Sequence, residues 1–205
     1  MLLGLPGAAV ALFATTARRG DLLLPGDDGF AAWAASSGFD AWSSAMLNGA
    51  VWLVFGFLAL YARTRDHVHG RWAQASTFLV VLGLAVFLPI GGVVAMVWPV
   101  AAAAAQDGDA SALAVLQGIQ GQGMFRVWTV FAGACWALGI LGWAWTLRAW
   151  PVAATLLAVG GLAMAYPVNV AIDWGAAAVF ALASVLIAWR WWDASGRATT
   201  PTTPP

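Results

Sequence analysis

Residues 76–100 read STFLVVLGLAVFLPIGGVVAMVWPV, a stretch without a single charged side chain. As an α-helix this stretch would extend over about 37 Å at 1.5 Å per residue. The hydrocarbon core of a bilayer is about 30 Å thick, and a helix of about 20 apolar residues crosses it. The stretch is therefore long enough and apolar enough to form a transmembrane helix.

Five further apolar runs flank this one along the chain. They cover residues 2–17, 45–62, 127–147, 151–168 and 174–192. All nine arginines and all nine aspartates lie outside these runs or at their edges. A charge at the centre of a span costs about 2.5–3.5 kcal/mol on insertion scales, so this separation is typical of membrane helices. The pattern predicts an all-α integral membrane protein with a six-transmembrane-helix bundle, or five helices if the first run is a cleaved signal peptide.

The composition supports the same class of protein. Hydrophobic residues make up 62% of the chain and charged residues 9%, whereas soluble domains carry about 25% charged residues. The net charge is zero and no basic tract suggests a nucleic-acid partner. The single Cys135 excludes an intramolecular disulfide. We expect residues 1–193 to form one polytopic domain and residues 194–205 a disordered Thr/Pro-rich cytoplasmic tail.

The distribution of arginine predicts the orientation. Placing the connection of residues 63–71 in the cytoplasm puts six arginines and two aspartates inside, and three arginines and seven aspartates outside. Cytoplasmic loops carry the excess of Lys and Arg, so both termini are expected in the cytoplasm, in a bacterial cytoplasmic membrane. Most tryptophans, Trp143 among them, fall near predicted span ends, as indole prefers the headgroup boundary. Trp52 and Trp136 fall at mid-depth and are expected to pack between helices.

The connection between the last two runs holds the strongest candidate site. Pro167 interrupts a helix there, which places Asn169 and Asp173 at the outer boundary. Asp173 could cap the last span or pair with Arg126, which enters the fourth run from the same side. That pair is either structural or part of the lining of a substrate vestibule. With Trp52 and Trp136, these residues are the candidate ligand-binding set.

Two further features bear on a binding role. Pro89 with the following glycines interrupts the third run, either as a hinge or as a packing kink, and packing is the favoured interpretation. The outer connections are expected to contain a short interfacial helix at residues 30–35 and a continuation of the third helix beyond the membrane.

The sequence offers little for catalysis. His67 and His69 share one inner loop with Asp66, which gives too few ligands for a metal site. The pairs Asp27–Asp28 and Asp107/Asp109 lack the spacing of a calcium loop. We therefore expect no metal, no cofactor and no enzymatic activity. A membrane enzyme would require the outer aspartates to converge on a metal ion.

Two functions remain open. The first is a subunit, accessory or scaffold in the cytoplasmic membrane, surrounded by lipid and bound to a partner protein or to further copies of itself. The alternative is a carrier or binder of an apolar or weakly polar small molecule, taken up through an outward-facing vestibule.

Overall fold

A computed structural model of the chain describes residues 29–65, 70–109, 111–112, 114–115, 118, 123–165 and 170–197. Among these residues helix is the only regular secondary structure, and no β-strand is present. The predicted all-α class is confirmed. The first apolar run, residues 2–17, lies outside the described residues, so a sixth span stays a prediction.

Six helices follow one another in the described part of the chain. They are α1 (Phe30–Ala34), α2 (Ser37–Thr64), α3 (Gly70–Gln106), α4 (Gly123–Thr146), α5 (Pro151–Ala165) and α6 (Val170–Arg197). Helical residues also occur between positions 111 and 118. The helix expected at residues 30–35 and the continuation of α3 past residue 100 are both confirmed. Helix α6 runs four residues into the segment predicted as the tail.

Four helical segments are long and apolar enough to cross a membrane. They are Ser37–Thr64, Gly70–Gln106, Arg126–Thr146 and Gly175–Trp192. The fifth apolar helix, α5, has only 15 residues and would extend over about 22 Å, which is less than the hydrocarbon thickness. The span predicted at residues 151–168 is therefore shorter than expected within the described chain, where α5 ends at Ala165.

Local sequence explains where two of the helices begin. The side-chain oxygen of Ser36 accepts a hydrogen bond from the backbone N–H of Phe39 at 3.4 Å, which makes Ser36 the N-cap of α2. Helix α5 begins at Pro151, a position where the missing N–H of proline costs no helical hydrogen bond.

Helix α3 is continuous through Pro89 and Pro99. The helix therefore does not break at Pro89, which agrees with the favoured packing interpretation. The adjacent Gly91 is buried, and a Cβ added there would lie 3.0 Å from the side chain of Leu47 on α2. This close approach favours the packing interpretation of the segment, since small residues let membrane helices come close together.

Each helix from α2 to α5 packs against the next in the chain. Their inward faces form one hydrophobic core, at whose centre Phe57 of α2 contacts Trp136 and Trp143 of α4. Trp136 in turn contacts Phe180 of α6. A core shared by all five long helices makes this part of the chain one bundle.

Glycines allow the closest contacts in this bundle. A Cβ at Gly139 of α4 would lie 2.9 Å from the backbone oxygen of Ser76 on α3. A Cβ at Gly160 of α5 would lie 2.6 Å from the backbone nitrogen of Phe180 on α6. Real Cβ atoms do not approach backbone so closely, so both positions require glycine for these two helix pairs to pack as they do.

A second, smaller core lies at the predicted outer end, where α1 packs against α2 and α3. We call it the outer aromatic cluster. It consists of Ala34, Phe39, Trp42, Val94, Trp98 and Ala102, with Trp33 packed against it. Trp42 and Trp98 are buried in this cluster, and Trp98 stacks on Phe39 with ring centroids 6.1 Å apart. The cluster fixes α1 across the end of the α2–α3 pair.

Candidate functional site

The two mid-depth tryptophans of the candidate set lie in different environments. Trp136 is 8% exposed in the core, and its indole N–H donates a hydrogen bond to the backbone oxygen of Gly161 at 2.7 Å. Trp52 is 53% exposed and has only the ring of Phe55, itself half exposed, as a described aromatic neighbour. The expectation that both pack between helices is confirmed for Trp136 and wrong for Trp52.

The polar members of the candidate set are described only in part. Arg126 is exposed near the start of α4. Asn169 lies outside the described residues, and the side chain of Asp173 is not among those described. The pairing of Arg126 with Asp173 therefore stays a prediction. Helix α6 begins at Val170, so Asp173 lies in the first turn and not at the capping position expected from the sequence.

Polar side chains inside the bundle bond to their own helices. The buried hydroxyls of Thr77 and Ser184 donate to the carbonyls four residues earlier, at 2.7 and 2.9 Å. The buried Ser43, Thr64 and Ser76 likewise donate to carbonyls in the preceding turn. Each hydroxyl proton is thereby committed to local bonding, and this arrangement satisfies the group without a partner helix. These five hydroxyls do not form an interhelical polar chain.

Trp143 is the largest fully buried side chain in the described residues. The sequence predicts it near the inner end of its span; in the structure it lies three residues before the end of α4 and packs in the core. Its indole N–H has no hydrogen-bond partner within the described part of the chain. Its spacing of seven residues from Trp136 puts both on one face of α4, a signal that the sequence did contain.

The acidic and imidazole candidates do not assemble a metal site in the described residues, where no group of three potential ligands occurs. His67, His69 and the pair Asp27–Asp28 lie outside that part of the chain. Asp109 instead accepts hydrogen bonds from the hydroxyl and the backbone N–H of Ser111, at 2.5 and 2.9 Å. These bonds, the hydroxyl's first, lower the pKa of the exposed Asp109 carboxyl. Asp109 thus organises the turn after α3.

The start of α4 is the most unusual surface of the bundle. Residues 126–131 of α4 are all exposed. Buried residues begin only at Ala132. We call this segment the exposed turn of α4. Its exposed apolar side chains, with Met124 just before it, are Val127, Trp128, Val130 and Phe131. This surface could not be identified from the sequence, because polarity does not separate it from the packed part of α4.

Comparisons with protein-family models, with curated proteins and with solved structures find no match to this chain.

Proposed function

We propose that this chain is a multi-span protein of a bacterial cytoplasmic membrane and serves there as a non-catalytic subunit or scaffold that binds a partner protein. The observation that carries this proposal is the exposed turn of α4, an apolar helical segment that the described part of the bundle leaves accessible. Membrane insertion is supported by the four helices of sufficient length and apolarity.

The orientation rests on the described arginines. Arg63 lies in the last turn of α2, Arg71 in the first turn of α3 and Arg148 two residues after α4, so all three lie at one end of the bundle. The aspartates Asp107 and Asp109 follow α3 at the opposite end. By the positive-inside rule the arginine end faces the cytoplasm, and with it the C-terminal end of α6.

Cysteine labelling tests this orientation. With Cys135 replaced by serine, Asp107→Cys, at an exposed position after α3, should react with a membrane-impermeant maleimide in intact cells. Ala149→Cys, in the connection between α4 and α5, should react only after the membrane is opened. The reverse pattern would contradict the orientation, and equal labelling of both sites in intact cells would contradict a membrane-spanning bundle.

The filled interior supports a role other than transport. Four large rings occupy the centre of the core, and the buried hydroxyls bond within their own helices. An ion or proton path requires polar groups that line a continuous route through the bundle. A packed interior together with an exposed apolar segment at the start of α4 is expected of a protein that acts through its surface.

The exposed turn of α4 offers a surface for a helix of a partner. In lipid, helices associate through close packing and through aromatic and small side chains at the contact. Val130 is 67% exposed in this segment, and Val185 is 50% exposed on α6, whose other face packs in the core. The two valines form a matched pair, one in the proposed contact and one on a helix that is already packed.

Photo-crosslinking from these two positions tests the proposal. A photoreactive amino acid at position 130 should give a discrete protein adduct in the native membrane, and one at position 185 should give lipid adducts only. An adduct with the mass of two chains would identify the partner as a second copy. Lipid adducts alone at both positions would contradict the subunit role.

A second function, the carrier or binder of an apolar or weakly polar small molecule, is favoured by one observation. The buried N–H of Trp143 has no acceptor within the described residues, and a bound molecule with one acceptor group would supply it. This version predicts a small molecule that co-purifies with the wild type and is lost in Trp143→Phe. If native mass spectra of the wild type contain no such small molecule, the carrier or binder function is contradicted.

A further inference from the structure

Arginine and tryptophan side chains are exposed together at the predicted cytoplasmic end of the bundle. The set comprises Arg71 and Trp72 of α3, Arg148 with Trp145 of α4, and Arg190 with Trp192 of α6. We call it the Arg–Trp belt. It follows the start of α3, the end of α4 and the last turns of α6, three elements that reach the same end of the bundle.

The indoles of this belt are exposed and do not pack in the protein core. Trp72 is 59% and Trp192 79% exposed, whereas Trp42 and Trp98 at the opposite end are buried in the outer aromatic cluster. An exposed indole at a span end places its ring at the boundary of headgroups and acyl chains, where the N–H stays hydrogen-bonded. The belt therefore marks the depth at which headgroups contact the protein.

The guanidinium groups lie at this same depth. The guanidinium carbon of Arg148 lies 4.8 Å from the ring centroid of Trp145, and its Nη1 donates to the backbone oxygen of Trp145 at 3.2 Å. Arg71 directly precedes Trp72, and Arg190 lies two residues before Trp192. A planar guanidinium pairs with a phosphodiester through two parallel hydrogen bonds, which suits it to phosphate recognition.

The charge distribution predicts a preference for anionic lipid, beyond the contact that any membrane protein makes with lipid. The whole chain is neutral, but six of its arginines and only two of its aspartates are assigned to this end. At the other end, three arginines face seven aspartates. The excess of positive charge at one end complements a headgroup with a net negative charge, and not a zwitterionic one.

We propose that the Arg–Trp belt binds anionic phospholipid headgroups, with one phosphate bound at Arg71, another at Arg190, and the neighbouring indoles packed on the glycerol and upper acyl region. This interaction is independent of the protein partner proposed for the exposed turn of α4. It makes the cytoplasmic end a lipid-selective surface.

Native mass spectrometry of the full chain in detergent tests the proposal with two probes, phosphatidylglycerol and phosphatidylcholine with the same acyl chains. Phosphatidylglycerol should bind more tightly, and the preference should fall as salt rises. Arg71→Gln with Arg190→Gln should weaken phosphatidylglycerol binding about fivefold at each of the two positions and leave phosphatidylcholine binding unchanged.

Two variants serve as controls. Arg126→Gln removes an exposed arginine two residues from Trp128 at the acidic end, and it should leave the preference intact. Arg71→Lys with Arg190→Lys keeps the charge and should retain most of the preference. This variant tests the proposal even if the glutamine variant fails to fold. Equal binding of the two lipids by the wild type would overturn the proposal, as would an equal loss in Arg126→Gln.

Discussion

The indole N–H of Trp136 on α4 donates a hydrogen bond to the backbone oxygen of Gly161 on α5, with a donor–acceptor distance of 2.7 Å. The bond is buried and joins residues 25 positions apart in the chain. It is a polar and directional link between these helices, and the ring of Trp136 also contacts the rings of Phe57 and Phe180. It fixes the rotation of α4 relative to α5 as well as their separation.

Replacement of Trp136 by phenylalanine should therefore destabilise the bundle by about 2–4 kcal/mol. About 1 kcal/mol comes from the lost hydrogen bond and the rest from the cavity left by the smaller ring. The measurement is the free energy of unfolding in mixed micelles, followed by circular dichroism. Trp52→Phe is the matched control, since Trp52 is 53% exposed and should change stability by less than about 0.5 kcal/mol. A larger loss in the control than in Trp136→Phe would contradict the core described here.

The glycine contacts lead to a second prediction. Gly160→Ala would place a Cβ 2.6 Å from the backbone nitrogen of Phe180, and backbone cannot rotate away as a side chain can. We expect a loss of about 1–3 kcal/mol, typical of overpacking, through separation of α5 from α6. Thermal unfolding followed by the size-exclusion profile measures it.

Gly92→Ala is the control for Gly160→Ala, because a Cβ at position 92 meets no atom within 4 Å. Alanine is preferred over glycine inside a helix by about 0.5–1 kcal/mol, so Gly92→Ala should be neutral or stabilising. Destabilisation by Gly92→Ala of the same size as by Gly160→Ala would show that glycine serves a role other than close helix contact.

The sequence was sufficient to predict the helices but not their inward faces. Charges and turn residues mark helix ends, which is why the extension of α3 to Gln106 was predictable. Burial in a membrane leaves no such mark, because lipid chains are as apolar as a protein core. Trp52 and Trp136 therefore have the same sequence signature and opposite exposure.

For the candidate site, too, the sequence predicts which residues share a helix face but not which face is buried. A 3.6-residue period identifies one face of α4 that carries Trp136, Gly139 and Trp143, but it does not say that this face is the buried one. The exposed turn of α4 could not be predicted, since exposure there depends on which helices pack beside it. The proline at position 89 does not end α3, because a membrane helix can accommodate the lost hydrogen bond.

A third prediction concerns the turn after α3. The hydroxyl of Ser111 is the main cause of the lowered pKa of Asp109, so Ser111→Ala should raise that pKa part of the way to its ordinary value. Ser111→Thr keeps the hydroxyl and should leave the pKa low. A lowered pKa means that the turn is stabilised above the ordinary pKa of an aspartate and loses this stabilisation as the pH falls through the lowered value. Carboxyl ¹³C chemical shifts measured against pH give the result, and an unchanged midpoint in Ser111→Ala would contradict the assignment.

The last prediction concerns the outer aromatic cluster, in which Phe39 is fully buried and contacts three indoles. Its ring lies 5.0 Å from Trp33 of α1, 5.6 Å from Trp42 and 6.1 Å from Trp98. Phe39→Ala removes the ring that all three share, and truncation of a buried phenylalanine costs about 3–5 kcal/mol. Because α1 has only five residues, it cannot persist without these contacts.

We therefore expect Phe39→Ala to release α1 while the central core stays folded. Hydrogen exchange of the amides in Phe30–Ala34 should accelerate to the rate of an unprotected chain, and exchange in α4 should stay slow. Phe55→Ala, which removes a ring that is 51% exposed on α2, should leave the exchange of α1 unchanged. Faster exchange in α4 as well would mean that the outer cluster and the central core unfold as one unit, and that α1 contributes to the stability of the whole bundle.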